Sequence, residues 1–153
     1  MPVSEGEDFV FTAEMTYTGA AGTGRGCLLG SRDLILQLPV RTFTGSERTM
    51  GTRDWFIEGR PVVEYVRSRL EDPAIDATGL DGLMRELASA VEGAVLVDLS
   101  VVRRFKVRTS LLSGGIYTSL RDSGPGWKGF PLRKADAAGF RDSYRGHPAS
   151  AGG

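Results

Sequence analysis

Apolar and polar residues alternate along residues 8–19, D-F-V-F-T-A-E-M-T-Y-T-G. Phe9, Phe11, Ala13, Met15 and Tyr17 fall on one side, and Val10, Thr12, Glu14 and Thr16 on the other. A period of two with one apolar face predicts a half-buried β-strand. Two apolar runs follow, Cys27–Leu29 and Leu34–Leu38, flanking G-S-R-D, whose Gly, Ser and Asp are turn formers; together they predict a hairpin. Residues 41–60 are dominated by Arg, Thr and Gly, with Trp55-Phe56-Ile57 embedded as a short strand or as a plug into the core.

The period then changes. Pro61 suits a first helical position, and Val62, Val63, Val66 and Leu70 form one helical stripe that Pro73 ends. A second helix carries Leu80, Leu83, Met84, Leu87, Ala88 and Val91 at spacings of three and four; Thr78 or Asp81 caps it and Gly93 closes it. From Val95 the period returns to two. Val95, Val97, Leu99, Val101, Phe105 and Val107 share one face, and Asp98, Ser100, Arg104, Lys106 and Arg108 the other. Arg103 falls on the apolar face. Ser113-Gly114-Gly115 reads as a turn, I-Y-T-S-L as the returning strand, R-D-S-G-P-G-W-K-G as a loop and F-P-L as a short last strand. Ala137, Phe140 and Tyr144 mark a C-terminal amphipathic helix. Gly139 costs that helix about 1 kcal/mol relative to Ala, so it is expected to lean closely on a partner surface.

This order predicts an α+β fold: a mostly antiparallel, partly closed β-sheet with two middle helices and a C-terminal helix. With 153 residues, a single domain over 1–146 is expected, with 41–93 reading as a helical insertion and 147–153 as a disordered tail. The 41% hydrophobic and 25% charged fractions are those of a globular chain. Nineteen basic residues balance nineteen acidic ones, which argues against a dedicated nucleic-acid binder. Cys27 is the only cysteine, which excludes an intrachain disulfide and a multi-cysteine zinc site; it reads as a small buried apolar residue. No signal-peptide pattern and no long apolar run are visible, so a cytoplasmic location without a transmembrane segment is expected. The abundance of glycine and the preference for Arg over Lys suggest a GC-rich bacterial genome.

Residues 18–26, T-G-A-A-G-T-G-R-G, come close to the phosphate-cradling loop G-x-x-x-x-G-K-[ST]. That loop needs a helix after it, a lysine, and a hydroxyl for magnesium. Here a strand pattern follows, Arg25 replaces the lysine and Gly26 the hydroxyl. A glycine-rich hairpin loop is the simpler expectation. Arg104, Lys106 and Arg108 at alternate strand positions stand about 6.8 Å apart and form a basic stripe suited to phosphates or an acidic partner. Trp127 beside Lys128 offers a binding platform. Catalytic chemistry is poorly supplied: the single histidine, His147, sits in the tail, and the paired carboxylates lie where helix caps are needed. No catalytic residue, metal ligand or cofactor is therefore assigned.

Three stretches resemble bacterial pleckstrin-homology-like domains, in the broad sense that includes GRAM-type modules. G-R-G-C-L-L-G-S-R-D-L-I-L-Q-L-P-V is similar to their paired early strands. V-D-L-S-V-V-R-R-F-K-V-R-T-S-L-L-S-G-G-I-Y-T-S-L is similar to their central hairpin. F-P-L-R-K-A-D-A-A-G-F-R-D-S-Y-R is similar to the last strand and closing helix. The resemblance covers about half the chain, and residues 41–93 depart from it. It implies a non-enzymatic module that binds proteins or, in some members, anionic lipid headgroups. The expected function is an interaction or adaptor domain with a protein partner, and an anionic lipid or a phosphorylated small molecule as further ligands. Arg25, Arg104, Lys106, Arg108 and Trp127 are the candidate contact residues. The alternative is an enzyme handling a phosphorylated ligand or nucleotide, built on Arg25, Arg48, Arg53 and the 41–60 segment, which reads as a pocket-lining loop.

Overall fold

A computed structural model describes residues 3–19, 22–44, 51–100, 104–109, 114–119, 127–132, 139 and 141–144. The fold is mixed α+β with antiparallel strand pairing throughout its named ladders. Strands β1 (Val10–Gly19), β2 (Gly22–Gly30), β3 (Leu34–Thr44) and β4 (Gly51–Asp54) lie side by side in chain order. A two-stranded hairpin, β5 (Phe56–Ile57) and β6 (Arg60–Pro61), leads into helices α1 (Val62–Leu70) and α2 (Ala77–Ala90). Strand β7 (Val95–Asp98) then returns to β3, and β8 (Arg104–Thr109), β9 (Gly114–Ser119) and β10 (Trp127–Leu132) form a separate three-stranded sheet.

The five-stranded sheet is buried on both faces around the β2–β3 hairpin. Alternate residues of a strand face opposite sides. Cys27, Leu29, Leu34, Leu36 and Leu38 pack with the helices, whose Val62, Tyr65, Val66, Leu70, Leu80, Leu83, Met84 and Leu87 complete that core. Leu28 and Ile35, on the opposite face, are also fully buried, and Val10, Thr12 and Val97 are buried beside them. The half-buried first strand expected from the sequence is therefore corrected. Phe9 and Phe11 pack against the helix-side core, Val10 and Thr12 are buried on the other side, and a register shift between Thr12 and Met15 precedes the buried Tyr17.

The G-S-R-D hairpin forms as expected, with Gly30 opposite Ile35 and the Ser31 N–H donating to the Leu34 carbonyl at 2.8 Å. Tyr144 seals this turn from the far end of the chain. Its hydroxyl donates to the Ser31 carbonyl at 2.5 Å and lies 3.3 Å from that of Leu34. Burial pushes its phenol well above the usual tyrosine range. Helical conformation is described at Gly139 and Arg141–Ser143. Ala137 and Phe140 lie outside the described residues, as does the 147–153 tail. Gly139 is exposed, and no described atom lies within 4 Å of a Cβ built there, so the close approach expected of it is not found.

Five further expectations change. The described strands form three separate sheets and not a closed barrel. The long alternating run from Val95 is two strands in different sheets. The Asp98 carboxylate accepts from the Ser100 N–H at 3.0 Å and the Ser100 hydroxyl at 2.6 Å, stopping β7 in a turn. Arg103 lies outside the described residues. Gly114 and Gly115 already belong to β9, opposite Thr109 and Arg108. The cap of α2 is Asp76, which accepts from the Gly79 N–H at 2.8 Å; Asp81 instead accepts from the Ser31 hydroxyl. Pro61 is the N-cap of α1, one position earlier than expected.

Candidate functional site

On either side of Ala20 and Ala21, which lie outside the described residues, the glycine stretch is paired strand. Gly19 pairs with Gly22, and a strand, β2, follows in place of the helix that a phosphate loop requires. Gly22 has φ +117°, which suits glycine alone. Gly24 and Gly26 have another reason. A Cβ on Gly24 would stand 2.0 Å from the Arg41 carbonyl oxygen; on Gly26 it would stand 2.6 Å from that of Leu38 and 3.0 Å from Tyr17. Both glycines flank a register shift at which Arg25 faces Arg41 while Gly26 faces Pro39, so Val40 is the extra residue of β3. A bulge bends a strand and sharpens its twist. Past it, β3 leaves the core and pairs with β4.

That bend places the 51–58 segment across from the end of α2. Trp55 is both a plug and a link between strands. Its main-chain N–H donates to the Val40 carbonyl at 3.0 Å, and its indole N–H to the buried Thr42 hydroxyl at 3.1 Å. Its ring joins the helix-side core. Phe56 then turns outward and is 59% exposed, while Glu58 (φ 51°) and Gly59 (φ 77°) make the tight turn between β5 and β6. Between this segment and α2 lies a groove of about 720 Å³. Trp55, Tyr65, Leu87 and Val91 contribute its apolar surface. Four carboxylates line it, Asp54, Glu58, Glu86 and Glu92, against a single guanidinium, that of Arg53.

The cations near the groove are already engaged. The Arg53 guanidinium sits 4.0 Å from the centre of the Trp55 ring. Arg41 pairs with Asp54 at 2.5 Å, and that bond holds the Asp54 carboxyl below its usual range. Arg69 donates to the Tyr65 hydroxyl at 2.8 Å. The expectation that residues 41–60 line a pocket thus meets a groove of predominantly acidic character. Arg48 lies outside the described residues. The sequence did not single out Glu58, Glu86 or Glu92, which are far apart in the chain and sit at ordinary solvent positions of a turn and a helix. The signal that existed was the Trp-Phe-Ile triplet inside a polar segment.

The five expected contact residues divide between two sheets. Arg25 is exposed on β2, between Thr16 and Arg41 in the ladder. The other four lie on the three-stranded sheet, where directly paired residues share a face. Arg104 pairs with Ser119 and Ser119 with Trp127; Lys106 pairs with Tyr117, and Arg108 with Gly115. The register therefore assigns Arg104, Lys106, Arg108, Tyr117 and Trp127 to one face. The alternate positions, Phe105, Val107, Ile116, Phe130 and Leu132, fall on the other. Trp127 begins strand β10 and does not sit in the loop expected for it.

Cys27 is fully buried in the helix-side core, and burial pushes its thiol up to about 12, so it stays a protonated, apolar group. Among the described residues, no group of three or more His, Cys, Asp or Glu side chains converges to hold a metal, and no helix is long and apolar enough to cross a membrane. Comparison with family models, with curated proteins and with solved structures finds no match.

Proposed function

We propose that this chain is a non-catalytic interaction domain that binds an acidic segment of a partner protein through the basic face of its three-stranded sheet. The observation that carries this reading is the strand register, which assigns Arg104, Lys106, Arg108, Tyr117 and Trp127 to one face. Cations two residues apart along a strand recur about every 6.8 Å, close to the same-face spacing of an extended acidic peptide. Aromatic and arginine residues are enriched in protein interfaces. The pleckstrin-homology-like resemblance points the same way, toward a β-rich binding module without catalysis. The alternative, an enzyme for a phosphorylated ligand built on 41–60, is disfavoured by the four carboxylates of the groove.

The test compares wild type with Arg104, Lys106 and Arg108 all changed to Glu, after circular dichroism has established that the variant folds. A labelled polyglutamate peptide is expected to bind wild type, with affinity falling as salt rises, and to lose the folded variant. Equal binding to both would discard the basic face. Binding to anionic vesicles with none to the peptide would replace the protein partner by a membrane surface.

A further inference from the structure

The groove holds an unusual arrangement: a fixed aromatic seat with a cation from the same chain already in it. Trp55 is 8% exposed and is held by its main-chain bond to Val40 and its indole bond to Thr42. Arg53 is the opposite case. It lies on the exposed strand β4, directly opposite Thr42 in the ladder, so its side chain starts on the side where the indole is anchored. Its guanidinium rests 4.0 Å from the ring centre while the residue stays exposed. An exposed cation–π contact of this kind is weak, a factor of about two to five in population. The seat is rigid and its occupant is free to leave.

The surroundings favour another cation of the same kind. Glu58, Glu86 and Glu92 line the groove with Asp54, and Tyr65, Leu87 and Val91 supply apolar walls. A guanidinium suits this better than an ammonium. It is planar, stacks on aromatic faces, sheds water more easily, and presents a fork of donors to carboxylates. We infer that the groove recognises an arginine side chain of a partner segment, and that Arg53 is an internal stand-in which the incoming arginine displaces from Trp55. This site is separate from the basic face and carries the opposite charge, so neither assignment depends on the other.

The experiment uses the full chain with Trp127→Phe, which leaves Trp55 as the only indole reporter, titrated with the peptide Ac-Gly-Arg-Gly-NH2. Trp55 fluorescence should change saturably. Arg53→Ala should bind about two- to five-fold more tightly, because the internal competitor is gone. That gain should persist at 0.5 M salt, where a simple loss of one positive charge is screened. Glu86→Gln with Glu92→Gln, both on the surface, should weaken binding, and Ac-Gly-Lys-Gly-NH2 should bind less well than the arginine peptide. Tighter binding by Arg53→Ala at low salt only would reduce the effect to bulk charge and overturn the stand-in role. Equal binding of the lysine and arginine peptides, or no fluorescence response in any variant, would overturn the arginine site while leaving the basic face untouched.

Discussion

Strand β3 has two halves with opposite fates. Leu34 to Leu38 is buried on both faces and pairs with β2 on one edge and β7 on the other. Arg41 to Thr44 is mostly exposed and pairs with β4, and Phe43 there is 56% exposed. Pro39 and Val40 separate the halves, opposite Gly26. The inner half is apolar but for the buried Gln37, and burial on both faces dictates its residues. The outer half is released from that constraint by a bend, and it supports the charged chemistry: Arg41 with Asp54, Thr42 with Trp55, and Arg53 on the ring. One strand carries part of the core and the anchor of the groove-lining segment, with a bulge as the divider.

The largest expected effect lies in the inner half. Leu36 is fully buried between Leu29 and Leu96 in the ladder. Leu36→Ala is expected to destabilise by about 3 to 4 kcal/mol in urea unfolding. A smaller value would mean that the inner half collapses around the cavity and is less tightly packed than its burial indicates. The divider comes next. Gly24→Ala forces a methyl against the Arg41 carbonyl and should cost about 2 to 3 kcal/mol. The same variant should also perturb Trp55 fluorescence, because the bend positions the 51–58 segment. A stability loss with an unchanged Trp55 signal would separate the bend from the groove.

The smallest effect concerns acid, and it sets one carboxylate from each half side by side. Asp98 lies opposite Leu34, and hydrogen bonds from Ser100, with Arg85 nearby, hold its carboxyl below the ordinary 3.8. Asp54 lies opposite Arg41, whose hydrogen bond holds it below the same value. A carboxyl depressed in the folded state adds stability above its unfolded pKa, and that stability is lost as pH falls through the lower, folded value. Stability should therefore decline below about pH 4. Asp98→Asn should remove more of that decline than Asp54→Asn, because the Asp54 pair is fully exposed and solvent screens it. A larger effect from Asp54 would show that the outer half contributes to folding as much as the inner.

The helices and the 27–38 hairpin were legible because each obeys a single period bounded by turn or cap residues. Val62, Val66 and Leu70 on α1 and Leu80, Leu83, Met84 and Leu87 on α2 are buried as their spacing requires. The failures share a different physics. A register shift is invisible to a period of two: the one between Thr12 and Met15 sets Tyr17 opposite Gly24, on the face of Leu28 and away from Phe11. Asp98 and Ser100 continued the alternation of the run that they in fact interrupt, because their turn uses side-chain bonds that periodicity does not register. Gly24 and Gly26 were read through their conformational freedom, whereas the neighbouring strand's carbonyls set the requirement. The groove depends on Glu58 and Glu92 being brought to line one cleft, which only tertiary structure supplies.

Tyr144 has a consequence for the order of events during synthesis. Its hydroxyl closes on the Ser31 carbonyl across 113 residues of chain. A contact of such separation forms only after the intervening chain has emerged and its loop-closure entropy has been met. While the ribosome is still translating the second sheet, the Ser31 carbonyl is left to water. The inner half of β3 can gather its helices early, but its first turn is completed only once Tyr144 has emerged.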